Sequence, residues 1–181
     1  MTEQATPEIM WAGKFITAKR DGRWEYVPRR RGIRAAVIIA VDESGPDAPC
    51  LILVEQYRVP LGKSCLELPA GLVGDGAGEE NEEAETAAIR ELEEETGYRA
   101  AQMENLGEFY SSPGLVSESF TLFRARGLTR VHDGGGTEGE NIIVHRVPLS
   151  EVRSYVEARR AEGMALDVKL LIALGGEFLD C

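Results

Sequence analysis

Residues 89–98, IRELEEETGY, crowd four glutamates into five positions beside one arginine. A helix is predicted over residues 82–96. It follows a turn-rich segment, and Gly97 is placed to end it. Like charges at helical spacing repel, so any fold must place this helix where its carboxylates meet water or cations. A solvated surface helix, an acidic tail and a cation site are the three explanations open to this segment.

The spacing of the charges sorts the glutamates of this helix into different roles. Glu91 and Glu95 lie four residues apart and project from nearly the same side. Arg90 and Glu94 are also four apart and can pair, which leaves Glu93 facing solvent. Two carboxylates that this spacing leaves unneutralised on one side usually signal a hard cation, although a solvated face has the same spacing. Because no histidine or cysteine lies nearby, the metal of such a site is Mg²⁺ or Mn²⁺ rather than zinc.

Length and composition favour one soluble domain. The chain has 181 residues, of which 43% are hydrophobic and 28% charged, as in ordinary globular proteins. Its net charge is −11, and residues 79–95 contribute −8 of this through nine glutamates and one arginine. An acidic chain is a poor candidate for binding nucleic acid.

We also expect a cytoplasmic protein that does not enter a membrane. No apolar run approaches the roughly 18 residues of a membrane span. The N-terminus, MTEQATPEIMW, lacks the basic and apolar regions of a signal peptide. The three cysteines stand at unrelated spacings, so they form neither a disulfide framework nor a zinc pattern, which suits a reducing compartment.

Strand-like and helical runs are mixed along the rest of the chain. Two strand-like runs flank Asp21 and Gly22, a dipeptide suited to a hairpin turn, and Ser150 is placed to cap a helix. Strands are predicted at 14–19, 24–27, 35–41, 50–59, 106–112, 118–128 and 142–147, a strand entering a loop at 63–73, and helices at 82–96, 150–164 and 165–178. Mixed elements without strict alternation predict an α/β or α+β layered domain.

The glutamate helix carries a specific resemblance. Glu82, seven further residues and then residues 90–98, RELEEETGY, resemble the Nudix box, which ends in Arg-Glu-aliphatic-any-Glu-Glu-any-Gly-aliphatic. Gly76 satisfies the spacing that the motif requires before Glu82. By this resemblance, Glu82 stabilises the geometry between loop and helix. Counting instead from Gly71 of LELPAGLV indicates an insertion near residues 77–81.

The resemblance implies a fold class and a domain organisation. The fold is α/β, a Nudix α/β/α sandwich with a mixed sheet and a small N-terminal antiparallel sheet. A single domain spans residues 1–181, with an N-terminal hairpin or dimerisation element at 1–34 and a catalytic core at 35–181.

The resemblance also implies a metal centre of two or three Mg²⁺ ions, with Mn²⁺ as an alternative. Its ligands are the carboxylates of Glu91, Glu95 and Glu140 and the backbone carbonyl of Ala70. A diphosphate substrate brings negative charge toward these carboxylates, and cations are what can join the two. Divalent ions also polarise phosphoryl oxygens and lower the pKa of a bound water.

Further catalytic roles follow from the same resemblance. Glu94 is an additional metal ligand or holds Arg90, and Glu138 is the candidate general base for the attacking water. The glycines at 134–136 fit a lid that closes on substrate. Acidic, glycine-rich loops are also common as solvated turns, which is the alternative for residues 132–141.

Other segments resemble the ADP-ribose (ADP-sugar) pyrophosphatase branch of the family, in the order of that branch. They are GKF, RWEYVPR, LVEQYRVP, LELPAGL, SSPGL and TEGEN. By this resemblance Trp24 and Phe15 stack on adenine, and Arg29 and Arg58 contact phosphate or ribose. Glu118 touches substrate or simply begins a strand. Packing within a strand is likewise the alternative for both aromatic residues.

The implied reaction is Mg²⁺-dependent hydrolysis of ADP-ribose to AMP and ribose 5-phosphate. Water is the expected nucleophile, since no nucleophile elbow or phosphate loop is present. Branch members are homodimers whose N-terminal elements exchange, so Trp24 is placed to serve a partner's site. Two rivals stay open: a hydrolase of GDP-mannose or another nucleotide sugar, with the same metal centre, and a sensor that holds ADP-ribose without cleaving it.

Overall fold

The structure, a computed structural model, describes residues 6–29, 32–74 and 81–175. Its strands are β1 (Glu8–Ala12), β2 (Thr17–Asp21), β3 (Trp24–Tyr26), β4 (Ala35–Asp42), β5 (Cys50–Arg58), β6 (Lys63–Glu67), β7 (Ala70–Leu72), β8 (Tyr98–Arg99), β9 (Gln102–Tyr110), β10 (Ser119–Arg126), β11 (Thr129–Arg130), β12 (Ile143–Pro148) and β13 (Ala165–Leu166). Its helices are α1 (Ala84–Thr96), α2 (Val152–Ala161) and α3 (Val168–Ala173), with a short 3₁₀ helix at Val59–Leu61.

The first three strands form a separate antiparallel sheet in the order β1-β2-β3. The predicted hairpin joins β2 to β3, and Gly22 takes a left-handed φ of 56° in its turn, which suits a tight connection. β1 was not predicted, because its sequence EIMWA carries three apolar residues in a row rather than an alternation. Every residue of β1 is exposed, so this sheet has little apolar core of its own.

The larger sheet is mixed, as the resemblance implied. Its strands follow the order β13-β6-β5-β4-β10-β9, while β12 pairs with β5 and β7 pairs with β4. β10 runs parallel to β4, and β13 runs parallel to β6. The remaining pairs of this sheet are antiparallel. A mixed sheet beside a small N-terminal antiparallel sheet confirms the predicted α/β fold class.

Helices cover both faces of the mixed sheet, because successive side chains of β4 point to opposite sides. Val37 lies in a core shared with Val156 of α2 and Leu170 of α3. Ile38, the next residue, lies in a second core shared with Leu92 of α1. The three layers are those of the predicted sandwich. Among the residues that the structure describes, no helix is both long and apolar enough to cross a membrane.

The C-terminal boundaries differ from the prediction. α2 begins after Glu151 rather than at Ser150, and Glu151 makes no side-chain capping bond. Residues 165–166 form strand β13 instead of opening a helix, because they pair with the backbone of β6 at the sheet edge. Asp167 then caps α3 with its side chain. The predicted continuation to 178 lies outside the described residues, as do residues 77–80 of the predicted insertion.

Candidate active site

A cavity of about 570 Å³ lies where α1 meets β4, β5, β6, β7 and β10. Carboxylates outnumber basic side chains six to three in its wall. The acidic residues are Glu67, Glu91, Glu95, Glu118, Glu140 and Asp167, and the basic residues are Arg29, Arg58 and Lys169. Because the wall carries excess negative charge, an anionic ligand needs cations to bind there.

Helix α1 contributes Glu91 and Glu95 to this wall, as their four-residue spacing predicted. Only 5% of Glu95 is exposed, and its Oε2 accepts a hydrogen bond from the backbone N–H of Ala70 at 2.9 Å. Burial raises the pKa of Glu95 to about 8, and the charges of Glu91 and Glu140 act in the same direction. A buried carboxylate facing like charges is a place where a bound cation stabilises the ionised form.

Room for Glu91 comes from a glycine on the facing strand. Gly71 of β7 lies opposite the Glu91 side chain, and a Cβ at this position would overlap Cδ, Cγ and Oε1 of that residue. The sequence supplied Gly71 only as a position for counting the motif. Its packing role depends on β7 pairing with β4 beside α1, which sequence periodicity does not reveal.

Arg90 joins the helix to the loop before it. Its Nη1 donates to Glu91 at 2.7 Å and to Glu94 at 3.3 Å, which confirms the predicted pairing with Glu94. Its Nε and Nη2 donate to Glu82, each at 3.2 Å, and Nη2 also reaches the carbonyl of Leu72 at 3.3 Å. The hydrogen bonds to Glu82 raise the pKa of Arg90 further above its usual value, despite its partial burial. Arg90 therefore holds the helix and loop together from beside the cavity.

Glu82 has the linking role that the motif implied. It is 7% exposed along its side chain, and its Oε2 also accepts from the backbone N–H of Gly74 at 3.0 Å. The hydrogen bonds from Arg90 lower the pKa of Glu82 against the opposing effect of burial. Glu82 stays outside the cavity wall, so its contacts are those of a brace between loop and helix.

The glycine-rich loop brings one of its two glutamates to the cavity. Glu140 lines the wall, and its Oε2 accepts from the N–H and the Oγ1 of Thr137 at 2.6 and 2.9 Å. Glu138 is exposed in the same turn and lies outside the wall. Gly135 and Gly136 donate backbone hydrogen bonds to the end of α1, so this part of the loop is docked on the helix.

Both predicted arginines line the cavity, and each pairs with a carboxylate. The Nε and Nη2 of Arg58 donate to the two oxygens of Glu67 at 2.5 and 2.9 Å. Arg29 pairs through its Nε with Glu118, which places the predicted Glu118 in the wall as well. Glu67, which the sequence did not single out, is only 4% exposed. The signal for it was its place in LELPAGL, one of the branch-like segments.

The two predicted base-stacking residues lie elsewhere. Trp24 is 59% exposed and Phe15 is 66% exposed on the N-terminal sheet, and neither lines the cavity of this chain. The guanidinium of Arg23 sits over the Trp24 ring, 5.5 Å from its centroid. The structure therefore does not bring these aromatic residues to the carboxylates of their own chain, although a partner's cavity stays open to them.

The cavity wall also contains residues that the sequence did not suggest. Lys169 points its Nζ to Asp167 at 2.6 Å and lies 6.0 Å from the ring centroid of Phe120. Cys65 also lines the wall, and burial raises the pKa of its thiol to about 12, so it is a poor nucleophile. These residues meet because β13 pairs with β6 and carries α3 to the cavity.

The histidine of β12, His145, has the contacts of a structural residue. His145 Nε2 contacts Glu55 at 3.1 Å, and His145 Nδ1 contacts the hydroxyl of Tyr155 at 3.0 Å. These bonds tie α2 to the mixed sheet away from the cavity wall.

The carboxylates of the cavity suit a hard divalent cation by their chemistry, since Mg²⁺ and Mn²⁺ prefer oxygen ligands. In the described part of the chain, however, no three acidic, histidine or cysteine side chains already form a metal-binding group. Each candidate ligand is instead engaged by a protein donor: Glu91 by Arg90, Glu95 by Ala70 and Glu140 by Thr137. Metal binding would exchange these donors for the cation.

Comparisons with known proteins bear on this site. A family model described as the NUDIX domain matches residues 31–166. A methanol dehydrogenase activator of Bacillus methanolicus is 37% identical over 77% of this chain and 69% of its own. An ADP-sugar pyrophosphatase of Mus musculus is 41% identical over 81% of this chain and 70% of its own. A GDP-mannose pyrophosphatase of Cronobacter sakazakii is 35% identical over 80% of this chain and 72% of its own.

One solved structure supports the fold independently. A crystal structure described as an ADP compounds hydrolase superposes with a TM-score of 0.65 and covers 87% of each chain. The two sequences are only 23% identical, so this likeness concerns the fold alone.

Proposed function

This chain belongs to the NUDIX family, and we propose on that premise that it hydrolyses the pyrophosphate of ADP-ribose and related ADP-sugars. The products are AMP and a sugar phosphate. The name of the mouse relative, an ADP-sugar pyrophosphatase, supports this substrate class. The branch-like segments run along nearly the whole chain and support it as well.

The observation that carries the proposal is the set of charged residues that line the cavity. Glu91, Glu95 and Glu140 line it together with Arg29 and Arg58. Carboxylates that gather divalent cations, next to guanidinium groups that donate two hydrogen bonds each, are the groups a diphosphate needs. The proposal depends on the carboxylates and the arginines together, because the carboxylates by themselves repel an anionic substrate.

We propose Mg²⁺ as the physiological ion, with two or three ions per site and Mn²⁺ able to replace it. Glu91, Glu95 and Glu140 would hold the ions with the carbonyl oxygen of Ala70. When bound, such ions polarise the phosphoryl oxygens and lower the pKa of the attacking water.

The remaining roles fall to side chains around this centre. Arg29 and Arg58 bind the phosphates or the ribose, and Glu118 orients Arg29 and reaches the substrate. Arg90 holds Glu91 and Glu94 in position. Glu138 is the candidate general base, two residues from Glu140 at the tip of the same turn. It can act only if this exposed tip approaches the bound substrate.

A nucleotide-sugar hydrolase acting on GDP-mannose is the second candidate. The name of the Cronobacter sakazakii relative supports it, and the same carboxylates and arginines would serve. Purified protein incubated with Mg²⁺ and a panel of nucleotide diphosphate derivatives decides between the two. We expect ADP-ribose to give AMP fastest. Brisk release of GMP from GDP-mannose without turnover of ADP-ribose would reject the proposed substrate.

Turnover also separates an enzyme from a sensor that binds ADP-ribose without cleaving it. Glu95→Gln keeps the shape of the side chain and removes its charge, so we expect folded protein with turnover roughly a hundredfold slower. Wild-type turnover in this variant would place the metal centre elsewhere. Binding of ADP-ribose with no hydrolysis by the wild type would favour the sensor.

We further propose a homodimer built through the N-terminal sheet. Ile9, Met10 and Trp11 are 62%, 48% and 58% exposed on β1, where the pairing with β2 shifts register between Ile9 and Trp11. An exposed strand with three apolar residues in a row is typical of a surface covered by another chain. A second copy would also bring Trp24 toward a cavity.

For the compartment we propose the cytoplasm. Cys50 and Cys65 are free and buried in the described residues, as suits proteins of a reducing compartment. The small-molecule substrate and the acidic net charge of −11 give no reason to expect nucleic acid as a partner.

A further inference from the structure

Gly134, Gly135 and Gly136 lie against the C-terminal end of α1. Their φ angles are 71°, 114° and 76°, all left-handed. The N–H of Gly135 donates to the carbonyl of Glu95 at 2.8 Å, and the N–H of Gly136 donates to the carbonyl of Glu94 at 3.0 Å. The last carbonyls of a helix have no donor within the helix. These two amides therefore satisfy groups that would otherwise need water.

A side chain added at Gly134 or Gly136 would collide with neighbouring atoms. A Cβ on Gly134 would lie 2.5 Å from the carbonyl oxygen of Glu95 and 2.5 Å from the carbonyl carbon of Thr96. A Cβ on Gly136 would lie 2.5 Å from Oε2 of Glu140 and 2.9 Å from Cδ1 of Ile142. Close approach to the helix backbone therefore requires glycine at position 134, whereas a methyl group at position 136 would displace the side chains of Glu140 and Ile142. All three positions also have the left-handed conformation that favours glycine.

The contact continues from the glycines to the carboxylate of Glu140. The N–H of Ile142 donates to the carbonyl of Gly135 at 3.1 Å, so the intervening turn is closed at its base. Inside that turn, Thr137 donates to Glu140 from its N–H and its hydroxyl. Helix, glycines, turn and carboxylate form one continuous set of hydrogen bonds.

We propose that residues 134–136, which we call the glycine clamp, position Glu140 against α1 before any ligand binds. The inference rests on the proposed function, in which Glu140 shares cations with Glu91 and Glu95. It replaces the expected role of these glycines in a lid that closes on substrate. The clamp holds the backbone of Glu94 and Glu95, so the loop and the helix carry their carboxylates as one unit.

Hydrogen exchange in the metal-free wild type tests the clamp itself. Because their N–H groups are bonded to the helix, the amides of Gly135 and Gly136 should exchange slowly, on the scale of the α1 amides. The amide of Gly139, at the tip of the turn, should exchange fast. Exchange of Gly135 and Gly136 as fast as that of Gly139 would overturn the proposal without touching the proposed activity.

Mn²⁺ binding, measured from free Mn²⁺ by electron paramagnetic resonance without substrate, tests the positioning role. Gly136→Ala pushes a methyl group against Glu140, so we expect roughly ten- to hundredfold weaker binding, the usual effect of disturbing the support of a ligand. Gly139→Ala is the matched control, because Gly139 also has a left-handed φ of 96° but nothing within 4 Å of an added Cβ. It should bind within about twofold of wild type.

The variants separate the failure of the clamp from the failure of the proposed function. A folded Gly136→Ala protein with wild-type affinity for Mn²⁺ would overturn the positioning role. Glu95→Gln tests the proposed metal site, and unchanged Mn²⁺ binding in that variant would reject the site itself. If Gly136→Ala fails to fold, the exchange of Gly135 and Gly136 in the wild type still decides whether the clamp exists.

Discussion

The backbone of Gly71 lies so close to Glu91 that a single methyl group at Gly71 would occupy the space of the carboxylate. Gly71→Ala should therefore displace Glu91 while the fold persists. We expect turnover of ADP-ribose and affinity for Mn²⁺ to fall by roughly ten- to hundredfold. Steady-state kinetics and an Mn²⁺ titration measure the two effects.

Gly114→Ala provides the control for this substitution. Neither glycine has a left-handed φ, and an added Cβ at Gly114 meets nothing within 4 Å. Both variants replace a glycine with alanine, but only Gly71→Ala creates a collision. Equal activities for both would show that the space beside Glu91 is not needed.

Much of this site could be predicted from the spacing of residues within a few positions of one another. The rest depends on pairing between strands that lie far apart in the sequence. The helix of Glu91 and Glu95, its end at Gly97 and the pairing of Arg90 follow from spacings within a few residues, which a sequence displays directly. Glu67 could not be found in this way. It reaches Arg58 because β5 and β6 pair in the register that sets Val54 opposite Glu67.

The contrast between local spacing and long-range contact also explains the other differences between the predicted and the observed site. Lys169 and Asp167 enter the cavity through the parallel pairing of β13 with β6, which joins residues 100 positions apart, such as Ala165 and Cys65. Trp24 was predicted from a resemblance, and its side chain lies away from the carboxylates of its own chain. A local motif identifies such a residue without saying which chain's cavity it serves.

Arg58→Lys should weaken substrate binding. Arg58 forms a two-bond pair with Glu67 in the cavity wall, and a lysine keeps the charge but loses the planar, two-pronged geometry. We expect KM for ADP-ribose to rise roughly tenfold with a smaller change in kcat, as for lost ground-state binding. Initial rates over a range of substrate concentrations give both constants.

Arg99→Lys is the matched control for Arg58→Lys. Arg99 makes a similar two-bond pair with Glu93, at 2.9 and 2.7 Å, but its side chain is 60% exposed on the surface. KM should stay at the wild-type value. An equal rise in both variants would mean that Arg58 acts through stability rather than through substrate contact.

Asp42→Asn should destabilise the fold without touching the cavity. Asp42 is 2% exposed; it accepts hydrogen bonds from the N–H and hydroxyl of Ser44 and from Arg146 at 2.6–2.9 Å. Burial raises its pKa, but the bonds from Ser44 and Arg146 outweigh burial and leave the pKa lowered. We expect a loss of roughly 2 kcal/mol in the free energy of unfolding at pH 7.

The pH dependence of this loss follows from the lowered pKa. Stability from ionised Asp42 is fully present above the unfolded pKa of about 3.9 and is lost as pH falls through the folded pKa. The difference between wild type and Asp42→Asn, measured by urea unfolding, should shrink below about pH 4. Asp133→Asn, which alters the pair between Arg130 and a fully exposed Asp133, should change little at either pH. A constant difference for Asp42→Asn would contradict the role of its charge.

Mixing two defective variants should reveal whether Trp24 serves the cavity of a partner chain. Trp24→Ala removes the aromatic face, and Glu95→Gln removes a carboxylate of the cavity. If Trp24 acts across a dimer, each mixed dimer contains one site with an intact Trp24 and an intact Glu95. The second site of that dimer carries both lesions. Random reassociation makes about half of the dimers mixed, so roughly a quarter of all sites should regain wild-type kinetics. Rates of AMP formation before and after unfolding and refolding the two variants together measure this recovery, with each variant refolded alone as the control. A rate equal to the mean of the two separate variants would place Trp24 outside the partner's site.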